Sequence, residues 1–399
     1  MRLRVLICCL ILPAAGGTAA GQRAAIDPER IAHSAAARAA ILAAVEAYNH
    51  DRFRAALAGF DRALASEPGN PIALFLKAEV YWQLWLKHKE HEPYNASFHQ
   101  GMEQAIAGAE RRRRQDPGDT DAMLVIASAY ARLGMFEGVR GKMFAAARRS
   151  IKAIDLLNRA VGLEPGLYDA YFGLGMYDYL IAGHSTAARL AFKLLGGSFG
   201  NQKRGLERLQ IAAERGTWSK SGARFFLALI YGKYEVGQEQ VALGWLDPLV
   251  EEYPDNQSYR GLQASLLLQV GRAAEAVAVH RDRSRRAHEA EPGGPESRAM
   301  DHYKLGNALR LAGDLKAAKL ELEAALAVAV DPEQSWVPAY AHLALGRLAD
   351  SGGERAAATR RYLKVLQLKD QQGSRKLAKL YLRRPYRSYE ERGTVEPWY

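Results

Sequence analysis

The sequence predicts an all-α protein, a solenoid of about eight stacked helix pairs. Apolar residues recur at three- and four-residue steps between Arg38 and Tyr381, which places one apolar stripe on each helix. Short turns rich in Gly, Pro, Asp and Asn separate the helices, and a set of small and large residues returns at fixed offsets. No segment alternates apolar and polar residues convincingly, so no strand is expected.

The turn signals recur along the chain between apolar helices. Four of them contain proline followed by glycine or aspartate: Glu67-Pro68-Gly69-Asn70, Asp116-Pro117-Gly118-Asp119, Glu164-Pro165-Gly166 and Tyr253-Pro254-Asp255-Asn256. Proline cannot continue a helix, and glycine accepts the left-handed backbone that ends one. These turns therefore predict the ends of successive helix pairs.

A repeated residue pattern accompanies these turns. The second helix of a pair carries small and large residues before a proline: Ala56, Phe60, Ala63 and Pro68; Ala153, Leu157, Ala160 and Pro165; Ala242, Leu246, Leu249 and Pro254. The first helix carries a Leu-Gly step: Leu174 and Gly175; Leu305 and Gly306; Leu345 and Gly346. This pattern resembles the tetratricopeptide (TPR) repeat. The resemblance implies a right-handed superhelical solenoid of about eight such pairs.

The predicted units are not equally long. They begin near Ala37, Pro71, Thr120, Tyr168, Ala223, Gln257, Ala299 and Ala339. The second, third and fourth units carry helical inserts, predicted at Lys87 to Gln100, Met135 to Ser150 and Gly183 to Gln202. Within the last insert, Ser185 can cap a short helix from Thr186 to Leu195 that Gly196-Gly197 would end.

The first twenty residues predict export. Arg2 and Arg4 precede an apolar run that Pro13 ends, and small residues follow to Ala20. This order is typical of a signal peptide cleaved near Ala20, which places the mature protein most simply in the periplasm. A retained anchor is the alternative. No later segment is expected to span a membrane.

The predicted organisation has four parts: a signal peptide at 1–20, an N-terminal repeat array with inserted helices at 21–254, a C-terminal repeat array at 255–381, and a basic aromatic tail at 382–399. The cysteines, Cys8 and Cys9, fall within the signal peptide. The formal charge of +11 is spread among 44 acidic residues, which permits contact with anionic lipid. Export argues against nucleic acid as a partner.

One stretch, Asp169 to Asn256, has a closer resemblance. Its marks are Leu194-Leu195-Gly196-Gly197, then Gly205-Leu206-Glu207-Arg208-Leu209, then Ala212-Ala213-Glu214-Arg215-Gly216 and Ala223-Arg224-Phe225-Phe226-Leu227-Ala228-Leu229-Ile230-Tyr231. This order is similar to the outer-membrane TPR family linked to inclusion-body clearance. The resemblance implies helical scaffolding near lipid or protein assemblies, and it transfers no functional residue.

No string of residues predicts an active site, a cofactor site or a metal site. His88, His91 and His99 lie near carboxylates, but flanking lysines would repel a cation and Pro93 ends the helix. Gly196-Gly197-Ser198-Phe199-Gly200 matches the serine-hydrolase elbow without the strand that this chemistry requires. The run Arg111 to Arg114 and the cluster Arg281, Arg283, Arg285 and Arg286 are either solvated helix ends or anion-binding patches. We therefore expect no enzyme and no cofactor.

The concave face is the expected binding site, because the first helices of stacked pairs line the inner groove of a solenoid. Projecting the repeat inward gives mostly aromatic candidates, with two arginines at the C-terminal end: Tyr48, Phe75, Trp82, Phe172, Met176, Tyr179, Tyr231, Tyr234, Arg310 and Arg347. Either they form an open groove for a protein or peptide, or the inserts cover them as core. The alternative function is an envelope-surface adaptor or carrier that handles lipid or polymer through the basic patches.

Overall fold

The structure is a computed structural model that describes residues 30, 32–87, 92–235, 237–289, 294–333 and 335–387. The predicted signal peptide, His88, His91 and residues 388–399 of the predicted tail lie outside these residues. The chain divides into two compact units, Met1–Asn256 and Gln257–Tyr399. Each unit consists of helices that pair with their neighbours in sequence, and the described residues contain no strand. The all-α solenoid is thereby confirmed.

The first unit contains eleven described helices that make five antiparallel pairs, the fourth of which carries an extra short helix. Their bounds are α1 Ala35–Asn49, α2 Phe53–Ser66, α3 Pro71–Lys87, α4 Glu92–Gln115, α5 Thr120–Val139, α6 Met143–Leu163, α7 Ala170–Ala182, α8 Thr186–Leu194, α9 Gln202–Arg215, α10 Lys220–Lys233 and α11 Glu239–Glu252.

The second unit contains seven described helices, which form three pairs and a terminal helix. Their bounds are α12 Gln257–Gln269, α13 Ala273–Glu289, α14 Pro295–Leu311, α15 Leu315–Ala327, α16 Val337–Ser351, α17 Arg355–Gln367 and α18 Ser374–Arg383. Together the two units hold eight pairs among the described residues, as the repeat pattern predicts.

Small residues at the repeat positions set the distance between paired helices. A Cβ added to Gly175 on α7 would lie 2.9 Å from the Gly205 carbonyl oxygen on α9. On α2, the side chains of Ala56, Phe60 and Ala63 are fully buried. The repeated pattern therefore marks the residues that pack each helix pair, which is the packing expected of a TPR-like fold.

The three predicted inserts are helical. The first lengthens α4 at its N-terminal end, and the second lengthens both α5 and α6 around a turn at 140–142. The third contains α8, which ends at Leu194, one residue before the predicted end. Gly196 follows it with a φ of 95°, a backbone conformation that only glycine adopts at little cost.

Helix α5 differs from the expectation that no later segment resembles a membrane span. Among the described helices, it alone has the length and hydropathy of a membrane span. More than half of its apolar window, 56%, is buried inside the protein. Its Met123, Ile126 and Ala127 are fully buried, so α5 packs as a core helix of the third pair.

The two ends of the first unit touch each other. The Asn256 side-chain amide, which follows α11, donates a hydrogen bond of 2.9 Å to the Asn49 carbonyl at the end of α1. Asp255 forms an ion pair with Arg52, with 3.1 Å between the carboxylate oxygen and the guanidinium nitrogen. The His50 ring meets the Tyr253 ring edge-on at 5.4 Å. Five pairs therefore complete one closed turn.

Candidate functional site

A cavity of about 220 Å³ lies within the first unit. Three first helices, α3, α5 and α7, line it together with α6 and the turn before α10. Eight of the lining residues are large, apolar and partly exposed to solvent: Ile72, Phe75, Leu124, Met135, Ile154, Met176, Leu180 and Trp218. Apolar surface that converges from five elements on one concavity is typical of a binding site.

The lining residues follow the repeat. Phe75, Leu124 and Phe172 each occupy the fifth position of their predicted unit. Glu79 and Met176, which follow Phe75 and Phe172 by four residues or about one helical turn, also line the cavity. The same face of three successive first helices thus forms one wall, because residues four apart share a helix face.

A buried polar cluster adjoins this apolar wall. Arg132 on α5 donates from Nε and Nη2 to the two carboxylate oxygens of Glu79 on α3, at 2.7 and 2.5 Å. The Arg132 guanidinium also lies 5.3 Å from the centre of the Trp82 ring. Burial raises the pKa of the Glu79 carboxyl, although Arg132 acts in the opposite direction. Burial, with the charge of Glu79, also raises the pKa of the Tyr48 hydroxyl.

The turn before α10 completes the cavity. Asp169 accepts hydrogen bonds from the backbone N–H groups of Thr217 and Ser219, at 2.9 and 2.7 Å, and from the Ser219 hydroxyl. These bonds hold Trp218 between them, and Trp218 packs against a core cluster formed by the first pair and α3. Burial raises the pKa of Asp169 against the effect of these donors. One carboxylate therefore positions Trp218 at the cavity.

A second polar contact lies at the edge of the cavity. Arg30, at the start of the described chain, donates to Asp121 at 2.6 and 3.0 Å and to Glu164 at 2.9 Å. Asp121 also lines the cavity. Burial raises the pKa of Asp121, although Arg30 lowers it. The residues that precede the first pair are thereby tied to the third pair.

The structure brings three of the predicted groove residues together. Phe75, Phe172 and Met176 line the same cavity. Phe172 is 6% exposed, whereas Phe75 and Met176 are partly exposed. These three residues belong to the fifth and ninth positions of their units, which are the positions that face the concavity.

Three other predicted residues are buried in the core, which corrects their place in an open groove. Trp82 is fully buried, and Tyr48 and Tyr179 are each 4% exposed. Trp82 packs at 5.5 Å from Phe98 and at 6.3 Å from Phe136, measured between ring centres. Both phenylalanines come from inserts, so for Trp82 the inserts do cover the aromatic side chain.

Tyr231 and Tyr234, on and just after α10, are partly exposed and do not line the cavity. The Tyr231 hydroxyl lies 3.5 Å from the Gln210 amide nitrogen on α9. In the second unit, Arg310 is 8% exposed and Arg347 is 1% exposed. Neither arginine is therefore an open groove residue.

The two buried arginines share an aromatic partner from the predicted tail. Tyr386 is 3% exposed, and both guanidinium groups lie over its ring, at 5.9 Å for Arg310 and 5.7 Å for Arg347. Arg310 also donates to the Tyr386 hydroxyl at 3.3 Å. Cation–π contacts with a buried tyrosine stabilise arginine in this position. Tyr386 thus belongs to the core of the second unit.

Sequence reasoning missed several cavity residues. Leu124 occupies the same repeat position as Phe75 and Phe172, so the repeat itself could have found it. Ile154 and Leu180 carry no comparable signal. Trp218 lies in a turn between pairs, where only the Asp169 contacts place it at the cavity.

The other strings of chemical interest have structural roles. The Ser198 backbone N–H donates to the Tyr177 hydroxyl at 2.8 Å, in an irregular segment after α8. In the arginine runs, Arg112 pairs with Asp119, while Arg285 and Arg286 pair with Asp282. Among the described residues, no group of three or more His, Cys, Asp or Glu side chains could hold a metal ion.

Comparison with known proteins gives helical-repeat structures. No protein-family model and no curated protein sequence matches the chain. A thermophilic TPR protein of Thermus thermophilus shares 21% identity over 58% of this chain and 100% of its own, with a TM-score of 0.36. A TPR protein of Parabacteroides merdae shares 11% over 87% of this chain and 99% of its own, with a TM-score of 0.29.

Eukaryotic repeat proteins give similar values. Yeast Tom70 shares 10% identity over 86% of this chain and 87% of its own, with a TM-score of 0.39. The human IFIT1 dimer with m7Gppp-AAAA shares 14% over 90% of this chain and 87% of its own, with a TM-score of 0.45. At these identities the likeness concerns the fold.

Proposed function

We propose that the first unit binds a protein or peptide partner through its apolar cavity, and that the chain acts as a scaffold without catalysis. The observation that supports this most directly is the convergence of eight partly exposed apolar side chains on one concavity. Such surface is costly to leave in water, so a partner that covers it gains the corresponding free energy.

The size of the cavity suggests what enters it. An apolar cavity of about 150 Å³ in another protein holds benzene. The cavity here, at about 220 Å³, therefore has room for one aromatic or large aliphatic side chain. Aromatic residues that fill pockets contribute most of the free energy at protein interfaces. The partner we propose presents such a residue from an extended or helical segment.

The same proposal places the scaffold in the periplasm. Residues 1–20 have the basic start, apolar core and small-residue exit of a signal peptide. Cell fractionation with mass spectrometry of the native N-terminus tests this part. A mature chain that begins at Gly21 in the periplasmic fraction is expected. An intact Met1 in the cytoplasm would contradict it.

A cavity-filling variant tests the binding site. Ser128 on α5 lines the cavity and is partly exposed, so Ser128→Phe should fill the cavity with little effect on folding. Peptides selected from a displayed random library against the wild type should carry an apolar anchor. They should bind Ser128→Phe at least about tenfold more weakly, as expected when an anchor loses its pocket.

The matched control is Ser66→Phe, at an exposed position on α2. This variant should bind the selected peptides as the wild type does. Melting temperatures measured on both variants separate lost binding from lost folding. If the peptides bind Ser128→Phe with unchanged affinity, the cavity is not their site and the proposal fails.

The alternative function, an envelope-surface adaptor that uses the arginine runs, has weaker support. Arg112, Arg285 and Arg286 are each engaged by a carboxylate within the protein. Ion-paired arginines attract an anionic surface less than unpaired ones do, because the neighbouring carboxylate cancels their charge.

A further inference from the structure

The most exposed large apolar side chain in the described part of the chain belongs to the insert between α7 and α9. Leu194, the last residue of α8, is 79% exposed, and Leu190, one turn before it, is 51% exposed. Phe192 faces the other way, with its ring 5.9 Å from that of Tyr177. One face of α8 therefore packs on the protein while the other presents leucines to solvent.

The segment after α8 extends this apolar face. Leu195 and Phe199 are 40% and 44% exposed. Arg189 on α8 donates to the Phe199 carbonyl at 3.0 Å, and its guanidinium lies 5.7 Å from the centre of the Phe199 ring. These contacts hold an exposed aromatic ring and a cation side by side.

The charged residues of this insert and of the first turn of α9 are all basic. No acidic residue occurs between Asp178 and Glu207, whereas Arg189, Lys193, Lys203 and Arg204 do. Asp178 itself is paired with Arg204 and Arg208. Lys193 and Lys203 are exposed.

The turn between α5 and α6, in the third pair, also combines exposed apolar residues with basic ones. Between α5 and α6, Val139, Met143 and Phe144 are 38%, 50% and 62% exposed. No acidic residue occurs between Glu137 and Asp155, but five basic residues do. Because both segments join the two helices of consecutive pairs, they lie on the same edge of the first unit.

We propose that this edge of the first unit docks on an anionic lipid bilayer. Exposed Leu, Phe and Met side chains with Lys and Arg around them are the composition that inserts at a membrane interface. The apolar groups would enter the boundary between headgroups and acyl chains, while the cations would meet anionic headgroups. The absence of acidic residues in both segments favours this occupant over a protein, whose surface normally presents both signs of charge.

Vesicle binding tests the proposal. The full chain is mixed with vesicles of phosphatidylglycerol and phosphatidylcholine, or of phosphatidylcholine alone, and separated by flotation. Leu194→Ser with Phe144→Ser should reduce partitioning into the mixed vesicles at least about tenfold, because each loses several buried carbon groups. Lys193→Glu with Lys203→Glu should reduce partitioning into the mixed vesicles by a similar factor, and it should make binding less sensitive to salt.

The matched control is Leu163→Ser at the end of α6, where the side chain is 56% exposed on the opposite edge of the unit. This variant should bind as the wild type does. All variants keep residues 1–20, so any contribution of that apolar segment is common to them. Melting temperatures should be unchanged throughout, since the substituted residues are exposed.

A local probe gives a second readout. In a background with Cys8→Ser and Cys9→Ser, Leu194→Cys labelled with an environment-sensitive dye should brighten on mixed vesicles, and Leu163→Cys should not. Equal partitioning of the wild type and the Leu194/Phe144 variant would overturn the proposal. An equal loss with Leu163→Ser would also overturn it. If that edge instead binds an acidic protein, no vesicle signal appears and the lipid proposal fails.

Discussion

Glu79 and Arg132 form a bidentate ion pair in which each side chain is only 2% exposed. Glu79→Gln should destabilise the first unit by about 3–5 kcal/mol, because it leaves the Arg132 charge buried without its counter-charge. The double variant Glu79→Leu, Arg132→Met should lose less than the sum of the two single variants. Urea unfolding of the wild type, Glu79→Leu, Arg132→Met and the double variant measures the coupling. Strict additivity would show that the pair does not act as a unit.

Trp82 gives the second prediction. Its ring lies 5.3 Å from that of Trp85 and packs on two phenylalanines from the inserts. Trp82→Ala should therefore lower the free energy of unfolding by about 3–5 kcal/mol, the usual cost of truncating a buried aromatic residue. Phe144→Ala, at a site that is 62% exposed, is the matched control and should change it by at most about 0.5 kcal/mol. A small loss at Trp82 would mean that the inserts do not seal this core.

The third prediction compares two glycines in helices. A Cβ on Gly175 would lie 2.9 Å from the Leu209 backbone nitrogen on α9, so Gly175→Ala should force α7 and α9 apart. The expected loss of stability is about 1–3 kcal/mol. Gly244 on α11 has nothing within 4 Å of the same point. Gly244→Ala should therefore gain about 0.5–1 kcal/mol from helix propensity. Thermal unfolding of both variants should show a lower melting temperature for Gly175→Ala and a higher one for Gly244→Ala.

The fourth prediction concerns pH and the second unit. Burial, aided by the charges of Arg361 and Lys364, lowers the pKa of His342 from 6.5 to about 4. The unfolded chain therefore binds a proton before the folded chain does, and stability falls as the pH drops from about 6.5 towards 4. Burial lowers the pKa of His280 in the same direction.

The measurement is the urea midpoint at several pH values between 7 and 4. His342→Gln should show a smaller decline than the wild type, because one of the groups that protonates on unfolding is gone. His302→Gln, at a histidine paired with Glu321 at 2.7 Å, is the comparison variant. An identical decline in the wild type and in His342→Gln would contradict the assignment.

The sequence predicts the helix pairs well because close packing fixes residue size at repeated positions. Ala153, Leu157 and Ala160, which the repeat pattern selects, are all buried on α6. The predicted starts near Pro71 and Thr120 are also the first residues of α3 and α5. Proline and glycine end helices through effects within a few residues, so these signals can be recognised in a single sequence.

The sequence predicts the lining of the cavity less well, for a physical reason. The repeat identifies which side of a helix points inward, but it does not say whether another element covers that side. Phe75 remains at the cavity, whereas Trp82, two turns along the same helix, lies under Phe98 and Phe136. Such cover depends on contacts between distant parts of the chain, which periodicity within one helix does not encode.

The contact between Asn49 and Asn256 also limits how this protein can change during evolution. An open array of repeats can be lengthened or shortened by whole repeats, since each one needs only its neighbours. In the first unit, duplicating or deleting one pair would carry the last turn past its partner at His50 and Asn49. Duplication or deletion of a pair in the first unit would therefore cost these contacts, whereas an insert within a pair, as at α8, leaves them in place.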